Sequence, residues 1–150
     1  MSTNLTTSCE FCKIITNVVP AEVIYQNNRA VAILDINPIH FGHALVMPRT
    51  HCENFLEVPD EDLHDLIKAI KIVTRAIVQS FAPGGFNIFS NNGIAAGQSV
   101  FHFHFHITPR YVDDNIKFIL QLKKYSKNEM PAYADRIRQY ISANPINETL

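Results

Sequence analysis

Residues 100–108 read Val-Phe-His-Phe-His-Phe-His-Ile-Thr. Apolar and imidazole side chains alternate strictly, which is the period-two pattern of a strand. Side chains two apart in a strand share a face and stand roughly 6.6–6.8 Å apart. His102, His104 and His106 are therefore expected on one face, and Phe101, Phe103 and Phe105 on the other. The apolar face suits a covering helix. The imidazole face must meet solvent, a ligand or a metal. An ordinary amphipathic strand carries Thr, Lys or Glu on its wet side, and a single histidine there is usually structural. Three in a row point to chemistry. Two kinds fit: a histidine pair at i, i+2 can chelate a catalytic zinc, or one imidazole can act as a nucleophile on an electrophile held by the others.

The loop that enters this strand carries Asn91-Asn92-Gly93 and Gly97-Gln98-Ser99. Amides, a hydroxyl and glycine backbone N–H groups are donors suited to phosphate oxygens. Further out, Glu22–Gln26 and Ala30–Ile36 read as strands joined at Asn27-Asn28, with Asn37-Pro38 breaking the second. His43–Met47 is a third strand, and Phe86–Ser90 a fourth. Between them a long helix is predicted from Asp60, which can cap it, to about Phe81. Leu63, Leu66, Ile67, Ile70, Val73, Ile77, Val78 and Phe81 recur every three or four residues, and Lys68, Lys71, Arg75 and Gln79 take the opposite face. A second helix is predicted over about Pro131–Ala143. Short turns favour an antiparallel sheet of about five strands with helices on one face, an α+β fold. Residues 1–150 are read as one domain, with a loose lead-in over 1–8 and a variable region over 111–150.

The chain has 150 residues, 47% of them hydrophobic, enough for one buried core. Thirteen basic and 14 acidic residues leave a net charge of −1, which argues against a protein that coats nucleic acid. No apolar run approaches the ~20 residues that span a bilayer, and the N-terminus lacks the regions of a secretory signal. A cytoplasmic protein without a membrane partner is expected. Cys9 and Cys12 form a CxxC, and Cys52 stands alone after His51. Three cysteines make no disulfide scaffold. In a reducing compartment the pair reads as half of a metal site.

Residues 97–108, Gly-Gln-Ser-Val-Phe-His-Phe-His-Phe-His-Ile-Thr, resemble the signature of the histidine triad (HIT) family. Phe11-x-Lys13-Ile14, Leu34-Asp35-Ile36-x-Pro38 and Gly42-His43-x-Leu45-Val46-x-Pro48 have counterparts there in the same order, so the likeness spans about residues 9–110. The resemblance implies an enzyme that hydrolyses or transfers nucleoside monophosphates, derived from phosphoramidates, aminoacyl-adenylates or dinucleoside polyphosphates, through a covalent nucleotidyl-histidine. Carried over, His104 is the nucleophile, oriented by the backbone carbonyl of His102. His106 contacts the phosphate and leaving group, and His43 supports the triad. Asn91, Gly97, Gln98 and Ser99 hold phosphoryl oxygens. Asp35 accepts the ribose hydroxyls, and Phe11, Ile14, Ile33, Leu34 and Ile36 form a nucleobase slot that suits a purine.

The zinc-bearing branch of the Hint-like group pairs the CxxC with two histidines. The resemblance thus implies a structural zinc on Cys9, Cys12, His51 and His102, a closed tetrahedron. Family members are usually homodimers, with the apolar face of the Leu63–Phe81 helix a possible interface. The chain lacks the C-terminal tryptophan of the animal phosphoramidase branch, which leaves the leaving group open. Two other readings stand beside this one: a nucleotide-binding regulatory protein with residual activity, and a zinc-dependent hydrolase using His102 and His104 as ligands.

Overall fold

The computed structural model describes residues 8–145. The expected lead-in, residues 1–8, lies outside that range except for Ser8. The chain forms two compact units, Met1–Ile116 and Lys117–Leu150. The first contains helix α1 (Glu10–Ile15), strands β1 (Val23–Gln26), β2 (Ala30–Leu34) and β3 (Ala44–Pro48), helix α2 (Asp60–Phe81), and strands β4 (Gly85–Phe89) and β5 (Phe105–Arg110). The second contains α3 (Glu129–Ala143), whose Tyr133, Ile137, Tyr140 and Ile141 are exposed. Among the described residues no helix is long and apolar enough to cross a membrane.

The five strands form one antiparallel sheet in the order β1-β2-β3-β5-β4. Alternation along β2 and β3 divides the sheet into two apolar faces. Ala30, Ala32, Ala44 and Val46 pack with Phe103 and Ile107 against Leu66, Ala69, Ile70, Val73 and Ile77 of α2. Val31, Ile33, Leu45 and Met47 pack on the opposite side with Phe11 of α1. Each fully buried Leu, Ile, Val or Met contributes about 1.5–3 kcal/mol. The small alanines of β2 and β3 let the long helix approach the sheet, and on the other face Ile33 and Leu45 both pack with α1 and line a cavity.

Three expectations change. Helices cover both faces of the sheet, because α1 occupies the side opposite α2. Leu66, Ala69, Ile70, Val73 and Ile77 of α2 are buried against its own sheet, and Ile67, Ile72 and Phe81 stay exposed. Asp60 is the first helical residue, and Pro59 holds the cap position without a side-chain bond. The acid that anchors this end is Asp62, fully buried, which accepts from Arg29 Nη1 and the Thr50 hydroxyl, each at 2.8 Å.

Strand β5 begins at Phe105, not at Val100. Its ladder with β3 covers Val46↔Phe105, Leu45↔His106 and Ala44↔Ile107. Before that the chain leaves the sheet, and the Phe103 N–H donates to the Cys52 carbonyl at 2.7 Å. Only His106 of the histidine row is therefore in a strand. This departure lets the first two histidines serve different neighbours from the third.

Candidate functional site

The row is still divided into two sides although the strand starts only at Phe105: Phe103 and Phe105 pack under α2, and His102 and His104 lie against Phe11 of α1. His104 is buried at 5% exposure. Its Nδ1 lies 2.7 Å from the His102 carbonyl, an acceptor only, so Nδ1 carries the proton and Nε2 is left with a lone pair. His106, paired with Leu45 across the ladder, stacks on Phe89 with ring centres 4.7 Å apart. His43, 2% exposed, places Nε2 3.0 Å from His106 Nδ1.

His104 and His106 open on a cavity of about 460 Å³. Phe11, Ile14, Ile33, Leu34, Asp35, Ile36 and Ser99 also line it. Seven of the residues expected around a nucleoside thus share a single pocket with two of the histidines. Asp35 does two things at once: Oδ1 accepts the Asn37 N–H at 2.8 Å, and Oδ2 lies 3.4 Å from His43 Nδ1. The structure does not bring Asn91, Gly97 or Gln98 to the cavity wall. Both ends of the Gln98 amide brace the loop: Oε1 accepts from the Gly93 N–H at 2.7 Å, and Nε2 donates to the carbonyls of Glu53 (2.6 Å) and Val100 (3.1 Å). Asn91 Nδ2 points to the Gly97 carbonyl at 3.5 Å. These residues shape the loop that presents Ser99.

Glu10, Val19, Pro20, Ala21, Asn37, Leu45 and Val100 complete the lining. None of them was expected to line the site, and for Val19, Pro20, Ala21, Leu45 and Val100 the reason is that apolar residues of a slot and of a core carry the same signal. Phe89 was missed for the same reason, although the alternation of β4 places it beside His106.

A second cluster lies behind the cavity. One ligand atom from each of Cys9, Cys12, His51 and His102 falls within 4.8 Å of the others. The sulfur–nitrogen separations are 3.5 Å (Cys9 to His102), 3.4 Å (Cys12 to His51) and 3.6 Å (Cys12 to His102). A tetrahedron with Zn–S near 2.3 Å and Zn–N near 2.0–2.1 Å has S···N edges of about 3.5 Å. His102 Nε2 is committed to the Pro48 carbonyl at 2.9 Å, so its Nδ1 turns a lone pair to the sulfurs. Donor type, spacing and tautomer all fit zinc. Phe11, between the two cysteines, packs edge-on to both His102 (5.9 Å) and His104 (5.1 Å). It thereby joins this cluster to the cavity. Cys52 stands apart in the α2 core, where burial pushes its thiol up to about 12.

Burial also lowers the basicity of His43 and His104 and holds His106 down to about 4, against an ordinary value of 6.5. These rings are neutral in the folded protein and charge more readily once unfolded. Between 6.5 and about 4 the unfolded chain binds more protons, so stability falls as the pH drops through that window and levels off below it. Melting temperature followed against pH is expected to decline there. A flat profile across it would show that the rings are not held neutral.

The HIT domain family model matches residues 16–113. The chain is 47% identical over 112 residues to an uncharacterised HIT-like protein of Methanocaldococcus jannaschii, which covers 73% of this chain and 86% of that one. It is 41% identical over 103 residues to an adenosine 5′-monophosphoramidase of Schizosaccharomyces pombe, covering 69% and 74% of the two chains. The crystal structure of a HIT family protein from Bacillus subtilis superposes with a TM-score of 0.83 at 37% identity, over 88% of this chain and 96% of that one. A Zn-bound histidine triad family protein from Mycobacterium smegmatis gives a TM-score of 0.68 at 33% identity, over 91% and 98%.

Proposed function

This chain belongs to the HIT domain family, and from that premise we propose that it is a nucleotide hydrolase or transferase that works through His104. The observation that carries the reading is the hydrogen bond from His104 Nδ1 to the His102 carbonyl, which leaves Nε2 unprotonated at a nucleoside-sized cavity. Nε2 attacks the α-phosphorus, and the bond from phosphorus to the leaving group breaks as the nitrogen–phosphorus bond forms. Water or another acceptor then attacks the nucleotidyl-imidazole and returns the lone pair to Nε2. Ser99 and His106 hold phosphoryl oxygens. The apolar wall of Phe11, Ile14, Ile33 and Leu34 takes a purine base. A relative named as an adenosine 5′-monophosphoramidase supports a nucleoside phosphoramidate as substrate.

Cys9, Cys12, His51 and His102 would hold a structural zinc, a reading supported by their geometry and by the Zn-bound neighbour. When bound, the ion supplies a rigid crosslink between α1, the segment after β3 and the segment before β5. His102 turns its free nitrogen to the thiols and His104 turns Nδ1 to a carbonyl, so nothing favours a catalytic metal on this pair. We further read residues 1–150 as one functional domain, acting as a cytoplasmic homodimer. Incubation with adenosine 5′-phosphoramidate, with and without chelator, tests the function: turnover that survives the chelator is expected, and no turnover would overturn it.

Asp35 is proposed to accept both ribose hydroxyls. A hydrogen bond to a charged acceptor is worth about 1.5–3 kcal/mol. Asp35→Ala should therefore weaken ribonucleotides by roughly tenfold or more per hydroxyl, and deoxynucleotides much less. Titrating both sugars against both proteins is the check. Equal losses would reduce Asp35 to its turn bond with Asn37.

A further inference from the structure

Gln98 is only 7% exposed, and its surroundings fix both ends of its amide. The carbonyls of Glu53 and Val100 can only accept, so the side-chain nitrogen faces them and spends both of its N–H groups there. The Gly93 N–H can only donate, so the side-chain oxygen faces it. No donor is left for a phosphoryl oxygen. Of the three partners only Glu53 is distant in sequence, and it follows His51 of the Cys/His cluster by two residues.

The short segment that starts at His51 meets the site at further points. The Cys52 carbonyl accepts the Phe103 N–H at 2.7 Å, and the Phe55 N–H donates to Asn92 Oδ1 at 2.8 Å. At its near end His51 Nδ1 lies 3.4 Å from Cys12 Sγ. Hydrogen bonds within the segment stiffen it. The Glu57 carboxylate accepts from the Glu53 N–H at 2.8 Å and from the Asn54 amide at 2.6 Å, and Asn54 Oδ1 accepts the Leu56 N–H at 3.0 Å. Ser99 and Val100, just after Gln98, form a wall between two spaces. One is the nucleoside cavity; the other is a cleft of about 380 Å³ bordered by Cys9, His51 and Glu53.

We propose that residues 51–55 are a strut that couples the Cys/His cluster to the loop of residues 91–99, and that Gln98 is the positioning residue at its far end. Gln98 places Ser99 at the phosphate and does not bind the phosphate itself. The proposal rests on the nucleotidyl-transfer reading for its effect on rate but not for the coupling. With a metal on the cluster, the His51 end of the strut is fixed to the thiols at the start of α1. The Glu53 carbonyl then stands at a set place, and Gln98 follows it. Its remaining bonds, to Gly93 and Val100, close the loop around Ser99. Without the metal, His51 keeps only its contact with Cys12, and the strut is free to shift. Two ligands of one cluster thus serve two parts of the site: His102 orients His104 through its carbonyl, and His51 places Ser99 through Glu53 and Gln98.

Amide hydrogen exchange on wild-type protein, zinc-loaded and after chelation, reads the coupling without a substrate. The Gly93 amide is expected to exchange about tenfold faster or more in the metal-free protein, because local opening of its loop becomes easier. The Ile116 amide, held by Asp114 Oδ1 at 2.9 Å after β5, is the control and should change little. A Gly93 amide that ignores zinc, or responds no more than Ile116, would overturn the strut. So would protein that takes up no zinc by elemental analysis. Kinetics test the role of Gln98. Gln98→Met is expected to lower kcat for adenosine 5′-phosphoramidate about tenfold, as for a displaced group. In a Ser99→Ala background the same change should cost less than about threefold, because the residue it positions has lost its hydroxyl. Losses that multiply would make Gln98 a direct phosphate contact and overturn its positioning role. A zinc-sensitive Gly93 amide in protein that hydrolyses no phosphoramidate would sink the functional reading and leave the strut standing.

Discussion

Replacing His104 by alanine is expected to lower turnover of adenosine 5′-phosphoramidate by at least about a thousandfold, the scale on which removal of a covalent nucleophile acts. Binding of the nucleoside monophosphate should persist. The residues proposed to hold base and sugar are Phe11, Ile14, Ile33, Leu34 and Asp35, and the His104 ring contributes only one wall of their cavity. The ring is buried, so a small void is left, but the His102 carbonyl loses a partner that it can replace with water from the cavity. Equilibrium titration with the nucleotide, beside steady-state rates, separates the two effects. Near-normal hydrolysis by this variant would remove the nucleophile from the account. Lost binding together with lost turnover would make His104 a recognition residue.

Cys9→Ser combined with Cys12→Ser is expected to abolish zinc content and destabilise the domain. A bound metal that only the folded state can hold adds its binding free energy to folding. The sheet and α2 have their own core on the far face, so the fold should persist without zinc but less stably. A loss of several kcal/mol corresponds to a fall in melting temperature of about 10 °C or more, at roughly 2–4 °C per kcal/mol for a chain of this size. Turnover per folded molecule should decline only modestly. Some decline is expected, because His102 serves the metal with its ring and His104 with its carbonyl, and Phe11 touches both rings. Elemental analysis and turnover measured on the same samples provide the check. Complete loss of activity at unchanged fold, restored by added zinc, would favour a catalytic metal.

The strict alternation of residues 100–108 was enough to place the histidines on one side and the phenylalanines under a helix. It could not show that the strand starts only at Phe105. That boundary depends on the Phe103 amide choosing the Cys52 carbonyl, a partner about fifty residues away in sequence. The 3.6-residue period of α2 was legible to its ends, because Pro59 and the Ala82-Pro83 break bound it. Its actual anchor, buried Asp62, was hidden among three consecutive acids that look alike in sequence. Cys9 and Cys12 announced half of a metal site. Their distant partners His51 and His102 came from the family resemblance, and the structure brings all four together. Gln98 illustrates the opposite case: a residue type suited to phosphate, in a suitable loop, uses both ends of its amide to hold that loop.

The central claim is that His104 becomes covalently nucleotidylated. Rapid quenching of wild-type protein during turnover of a slowly resolved nucleoside phosphoramidate, followed by intact-mass measurement and peptide mapping under conditions that preserve phosphorus–nitrogen bonds, tests it most directly. The account predicts a mass gain of one nucleoside monophosphoryl group that maps to His104, appears before steady state and is absent from His104→Ala. Continued turnover with no adduct, or an adduct that maps to His106 or to another residue, would contradict it.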